Sequence, residues 1–203
     1  MKRLILITLA LFGIGSILYY SMPSGKTEQE YEHAIHQERQ AKNDFMKNDA
    51  SSPFVTTAKP FDSLKYFKPN SRYRIKASLD DIENNKVVLL ATSTGESARY
   101  LEYAWASFEL DGIRTKLLLL EVMDMGPQRG KLFLAFADKT SANESYGAGR
   151  YLDLKKVPAA TTIELDFNKA YNPYCAYADM YSCPFPPREN ILPVAIHAGE
   201  KVY

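Results

Sequence analysis

The chain has 203 residues, of which 46% are apolar and 24% charged, and a formal net charge of +1. Those proportions are ordinary for a globular protein, and so small a net charge gives no electrostatic case for nucleic acid, which calls for a clustered basic surface. The unusual feature is aromatic content, 14 Tyr and 10 Phe beside one Trp, and tyrosine suits half-buried sheets and pocket walls alike because its body is apolar and its tip polar.

The first element is an apolar run. Lys2 and Arg3 precede residues Leu4 to Tyr20, the charge-then-apolar order of an export signal. At about 17 residues the run lies at the lower limit for a membrane span. No good cleavage site follows, and no Cys near its end allows lipoprotein processing. Residues 1–20 are therefore expected to be an uncleaved signal anchor, with residues 4–20 in the cytoplasmic membrane and the rest of the chain outside. The alternative is a cleaved signal and a secreted or periplasmic product. Once this segment is set aside, about 180 residues remain, which suits one domain that buries roughly 70% of its unfolded surface.

Residues 21–60 read as a linker and a charged helix. From Glu28 to Lys47, apolar residues at Tyr31, Ala34, Ile35, Ala41, Phe45 and Met46 form a narrow stripe at helical spacing, suited to a helix lying on a domain. His33 and His36 share one face of it without a third ligand in sight, so no metal site is expected. Asn48 to Pro60 is rich in turn residues and reads as a loop.

Residues 61–203 read as a mainly β domain. The expected strands are 71–78, 86–92, 98–110, 113–123, 131–137, 149–154, 161–167 and 192–198, about eight in all, in a sandwich or barrel-like antiparallel meander. The clearest pair flanks Asp111 and Gly112, a dipeptide that accepts the positive φ of a two-residue hairpin turn. Before it, alternation places Tyr100, Glu102, Ala104, Ala106 and Phe108 on one face and Leu101, Tyr103, Trp105, Ser107 and Glu109 on the other. After it, Leu117 to Leu120 forms a run suited to a strand covered on both sides. Asp80, Asp81, Glu83, Asn84 and Asn85 look like a turn between strands, without the spacing or Gly of a calcium loop.

The specific chemistry is concentrated between Asp138 and Asn190. Glu144, Tyr146, Gly147, Gly149, Arg150, Tyr151 and Leu152 form a first group. Asp166, Phe167, Asn168, Ala170, Tyr171, Asn172, Pro173, Cys175, Ala176 and Tyr177 form a second, and Cys183, Pro184, Pro186, Glu189 and Asn190 a third. They match the runs E-T-Y-G-G-G-R-Y-L, D-F-N-x-A-Y-N-P-P-C-A-Y and C-P-L-P-P-x-E-N, with Ser145, Ala148, Tyr174 and Phe185 as mild departures. With these motifs the chain resembles DUF1684, a bacterial and archaeal family of unknown function, and the likeness extends more weakly back through the sheet to the charged helix. The resemblance implies membership of that family and brings no reaction or cofactor with it.

Physically, Gly147 and Gly149 ahead of Arg150 read either as an anion-binding turn, with Arg clamping a carboxylate or phosphate, or as a tight turn whose Arg pairs with a structural carboxylate. Asp138, Glu144, Tyr146, Arg150, Asp166, Asn168, Tyr171, Asn172 and Tyr177 are the candidate ligand-binding residues. They either line a polar pocket or fasten a Pro-rich loop to the sheet. Cys175 and Cys183 are an isolated even pair in an exported chain, which reads first as a disulfide, then as two free thiols, then as a metal or catalytic pair. The leading expectation is a membrane-tethered domain that binds a small molecule or an envelope partner. The alternatives are an enzyme, such as a hydrolase, using Asp138, Glu144 or Asp166 as acid or base beside Arg150, and an envelope structural protein without a ligand site.

Overall fold

In the computed structural model, residues 27–123 and 126–203 are described. The apolar run at 4–20, with the anchor expected there, lies outside them. Among the described residues no helix is long and apolar enough to cross a membrane.

Helix α1 spans Glu28–Asn48, close to the expected bounds. Its start is a capping box: Glu30 N donates to Thr27 Oγ1 at 3.2 Å and Thr27 N donates to Glu30 Oε2 at 2.8 Å, which satisfies two otherwise orphaned amides. Ile35, Arg39 and Met46 are buried along one side, so a cation stands in the stripe, whereas Ala41, expected there, is exposed. The expected loop after α1 contains a one-turn helix, α2, at Pro53–Thr56, capped by Ser52 Oγ, which accepts from Val55 N at 3.2 Å.

Seven strands follow: β1 Arg74–Asp81, β2 Val87–Ala91, β3 Ser97–Leu110, β4 Ile113–Val122, β5 Leu132–Phe136, β6 Arg150–Leu154 and β7 Thr162–Asp166. They make one antiparallel sheet in the order β6-β5-β4-β3-β1-β7. β3 to β6 is the expected meander. The sheet curls into a half-barrel whose edge strands β6 and β7 approach each other across a cleft of about 360 Å3. β3 is long enough for β1 and β2 to share one of its edges end to end: β1 pairs with Ala104–Ser107 and β2 with Ser97–Leu101. Asp80 and Asp81, expected in a turn, belong to β1; the excursion between the two strands is residues 82–86.

The β3–β4 hairpin forms as expected, with Leu110 opposite Ile113 and positive φ at Asp111 (56°) and Gly112 (74°), the type I′ pattern that matches strand twist. The simple alternation along β3 does not hold. The register with β4 slips between Glu102 and Ala104, so Tyr103 is an extra residue that switches faces. Tyr100 and Trp105 therefore join one core while Tyr103, Ala106 and Phe108 join the other. Leu117 and Leu119 lie in the core with Ala106 and Phe108, and Leu118 and Leu120 in the core with Tyr100 and Trp105, as a doubly covered strand requires.

The eighth expected strand is absent. Residues 192–198 are irregular, yet Leu192, Val194, Ile196 and Ala198 are buried in the core, where each large apolar side chain contributes roughly 2 kcal/mol. Alternation reported burial correctly, but the backbone finds other partners. Leu192 N and Lys139 N bond Ala137 O and Val194 O at 2.8 and 3.0 Å, and the rest of the segment is held by side chains described below.

Candidate functional site

The C-terminal third folds back over β6 and meets α1, and between them lies a cavity of about 570 Å3. From α1 come Ile35, Arg39, Lys42, Phe45 and Met46, whose 3–4-residue spacing places them on one face. Tyr151 and Asp153 come from β6, and Tyr171, Tyr174, Tyr181, Ser182, Cys183 and Pro184 from the returning segment. Tyr171 is fixed there by two backbone bonds to Tyr151, at 2.8 and 3.0 Å, and its hydroxyl donates to Asp153 Oδ1 at 2.9 Å.

The polar centre is Lys42 with Glu200. Lys42 Nζ lies 3.4 Å from Glu200 Oε2 and 4.2 Å from the centre of the Tyr171 ring. Its side chain is 27% exposed, whereas that of Glu200 is 1% exposed. Glu200 reaches this position because Gly199 adopts φ 75° where a Cβ would meet Ala170 O at 2.6 Å and Phe167 O at 2.7 Å. The carboxylate accepts from Asn172 Nδ2 at 3.0 Å, Asn172 N at 3.3 Å and the Tyr177 hydroxyl. Burial raises the Glu200 pKa, opposed by Lys42, Tyr177 and Asn172; burial lowers that of Lys42, opposed by Glu200. The hydroxyls of Tyr66, Tyr171 and Tyr177 are pushed up, first by burial, so they stay protonated as donors. The Tyr66 hydroxyl is buried and has no hydrogen-bond partner among the described residues. Arg39 donates to Phe67 O at 2.8 Å and Asn168 O at 3.2 Å, over the Tyr66 ring.

The nine residues expected to form one pocket are distributed over several places. Asn168 and Tyr171 line the cavity, and Asn172 and Tyr177 hold Glu200 behind it. Asn168 also clasps Asn70, donating to its carbonyl at 2.8 Å and accepting from its amide at 2.9 Å. Asp166 caps the turn at Asn168, accepting from Asn168 N at 3.1 Å, and lines the β6–β7 cleft. Arg150 and Asp138 pair with each other at 2.8 Å, both side chains fully buried. Arg150 also donates to Ile196 O at 2.9 Å and to Ala198 O, and Asp138 Oδ1 accepts from Ile196 N at 3.1 Å. These are the partners of the irregular segment. Glu144 faces His197 Nε2 at 3.0 Å on the surface. Gly149 has φ 90°, and a Cβ there would meet Phe136 O at 2.6 Å, so close packing against β5 accounts for the glycine. The Tyr146 hydroxyl stands 3.8 Å from Cys175 Sγ. Cys175 and Cys183 are both free, buried thiols, with no S–S bond between them.

Sequence reasoning missed Lys42, Arg39, Tyr66 and Glu200. Continuing the α1 stripe from Ile35 by four and by seven residues reaches Arg39 and Lys42, a usable signal. Nothing near Glu200 marks it, since its partners lie 158 and 28 residues away.

Three comparisons bear on this geometry. Residues 59–201 match the family model described as a protein of unknown function, DUF1684. The solution NMR structure of an uncharacterized protein from gene locus rrnAC0354 of Haloarcula marismortui is 37% identical, with a TM-score of 0.64, over 85% of this chain and 95% of that one. No curated protein matches the chain. The match spans the half-barrel and the whole returning segment, so the chain belongs to the DUF1684 family.

Proposed function

We propose that this chain is an extracytoplasmic, membrane-tethered domain that binds a small molecule in the cavity between α1 and the returning segment, without turnover. The carrying observation is Lys42, partly exposed on the cavity floor, set over Tyr171 and ion-paired to buried Glu200. A cavity of this size with aromatic walls and few convergent polar groups is the usual form of a small-molecule site. Lys42 has N–H donors beyond the one facing Glu200, and the Tyr66 hydroxyl has no partner among the described residues. The ligand class that fits is an apolar or aromatic body carrying an acceptor group. The hydrolase alternative has less support, because Asp138 and Arg150 face each other in the core and Glu144 faces His197 outside. The tether is supported by the apolar run at 4–20 behind Lys2 and Arg3.

The test is native mass spectrometry of the full chain purified from its own membranes, followed by denaturing release of any bound molecule. A stoichiometric adduct is expected, lost in Tyr171→Ala and Lys42→Met and kept in Glu144→Ala. An apo mass throughout, or an adduct indifferent to both cavity variants, would sink the proposal. Protease digestion of spheroplasts tests the location: degradation without lysis is expected, and protection until lysis would refute it.

A further inference from the structure

We propose that Cys175 and Cys183 are a peroxide-reactive dithiol that opens on the cavity through Cys183 and closes to an intramolecular disulfide on oxidation. It does not depend on which molecule the cavity holds.

The fold builds this pair deliberately close. The chain turns at Tyr174–Ala176 and returns at Cys183, where Ser93 pins it: Cys183 N donates to Ser93 Oγ at 3.1 Å and Ser93 N donates to Cys183 O at 3.0 Å. Cys175 N then donates to Cys183 Sγ at 3.2 Å. Cys175 and Cys183 are only 9% and 7% exposed, so bulk reagents are excluded. Cys183 lines the cavity, which gives a solute the size of hydrogen peroxide a way in. The Tyr146 hydroxyl, 3.8 Å from Cys175 Sγ, can donate to a thiolate there, while the Cys175 amide serves Cys183 Sγ. The hydrogen bond from the Cys183 thiol lowers the Cys175 pKa to about 6 against the opposing effect of burial, with Tyr146 and Ser93 adding to the lowering. The same bond pushes Cys183, the donor, up.

The chemistry balances in two steps. The Cys175 thiolate attacks one peroxide oxygen, the O–O bond breaks, and Cys175 sulfenic acid and hydroxide form. Cys183 sulfur then attacks Cys175 sulfur, the S–O bond breaks, and the departing hydroxide takes the Cys183 proton and leaves as water. The proton first released from Cys175 neutralises the hydroxide of the first step. Overall the two thiols lose two electrons and one hydrogen peroxide becomes two waters.

The test uses the reduced full chain and hydrogen peroxide. One equivalent is expected to remove both thiols that iodoacetamide labels after denaturation, without intermolecular links, and dithiothreitol is expected to restore both. At pH 6 the rate should be about half its plateau, where an ordinary thiol would run below about 1% of its own. Cys183→Ser cannot close, so it should accumulate a sulfenic acid on Cys175 that dimedone traps on denaturation. If that variant does not fold, the thiol count and pH profile of the unaltered chain decide. Two labelled thiols after excess peroxide, or a profile centred near pH 8.5 as for an ordinary thiol, would overturn the proposal.

Discussion

Arg150 and Asp138 lie 2.8 Å apart with neither side chain reaching solvent, and together they hold the backbone of residues 196–198 where a neighbouring strand would otherwise stand. The guanidinium fork supplies donors to Asp138 and to the carbonyls of Ile196 and Ala198 at once, which a planar, five-donor group can do and an ammonium cannot. Arg150→Met leaves a buried carboxylate and carbonyls without donors. A loss of about 3–5 kcal/mol in urea unfolding is expected, and Arg150→Lys should recover little of it. Full recovery by lysine would mean that charge alone matters.

The Lys42–Glu200 pair carries a pH signature. A carboxyl whose folded pKa is raised binds its proton more tightly when folded. Its stability cost is absent below the unfolded value of 4.5 and appears as pH rises through the folded value. Removing Lys42 takes away an interaction that lowers Glu200, so the cost grows. Lys42→Met should match the parent near pH 4 and fall about 2 kcal/mol below it by pH 8. The double variant Lys42→Met, Glu200→Gln should regain most of that difference at pH 8. A deficit independent of pH would show that Lys42 acts by packing alone.

Two nearby glycines should behave differently. Gly149→Ala forces a Cβ against Phe136 O and Pro186 Cγ, each at 2.6 Å, at φ 90°; a loss of about 2–3 kcal/mol is expected. At Gly147 the nearest atom to a new Cβ is Ala142 Cβ at 3.4 Å, so Gly147→Ala should change stability by less than about 1 kcal/mol. Thermal melts of both variants check the contrast.

Asn190 repairs a gap in the sheet. β4 and β5 pair only at Leu120–Phe133 and Glu121–Leu132. Beyond that, Asn190 Nδ2 donates to Leu118 O at 3.0 Å and to Ala135 O at 2.9 Å, while its Oδ1 accepts from Leu118 N at 2.7 Å. Asn190→Leu keeps the volume and leaves those groups unbonded, at a cost of about 2–3 kcal/mol. Hydrogen exchange at the Leu118 amide should quicken in step with it, and unchanged protection there would contradict the role.

Local patterns carried much of the fold. The apolar stripe of α1, the Asp111–Gly112 turn and the doubly covered leucines of β4 are each dictated by residues close in sequence, and each stands where expected, save Ala41, which is exposed while Arg39 is buried in the stripe. The bulge at Tyr103 was not legible, because register depends on the partner strand. Residues 192–198 showed the right burial and the wrong pairing, since alternation records which side chains face the core and not what bonds the backbone. The site suffered most. Arg150, Asn172 and Tyr177 were recognisable as polar residues in need of partners, but the partners were distant carbonyls and Glu200, and sequence spacing carries no information about such distances.

The shared edge of β3 has a practical side. Residues 82–85 already leave the ladder between two strands that pair independently with β3, and Glu83, Asn84 and Asn85 are exposed. The far end is tied down where Asn85 Nδ2 donates to Glu102 O at 2.6 Å and Lys86 N donates to Glu102 Oε2 at 3.2 Å. Extra residues between Glu83 and Asn84 would lengthen an existing protrusion without shifting either register, because loop closure costs only about 0.6 kcal/mol per doubling of length. That makes the junction a natural place to splice an epitope or a fluorescent reporter into the middle of the chain.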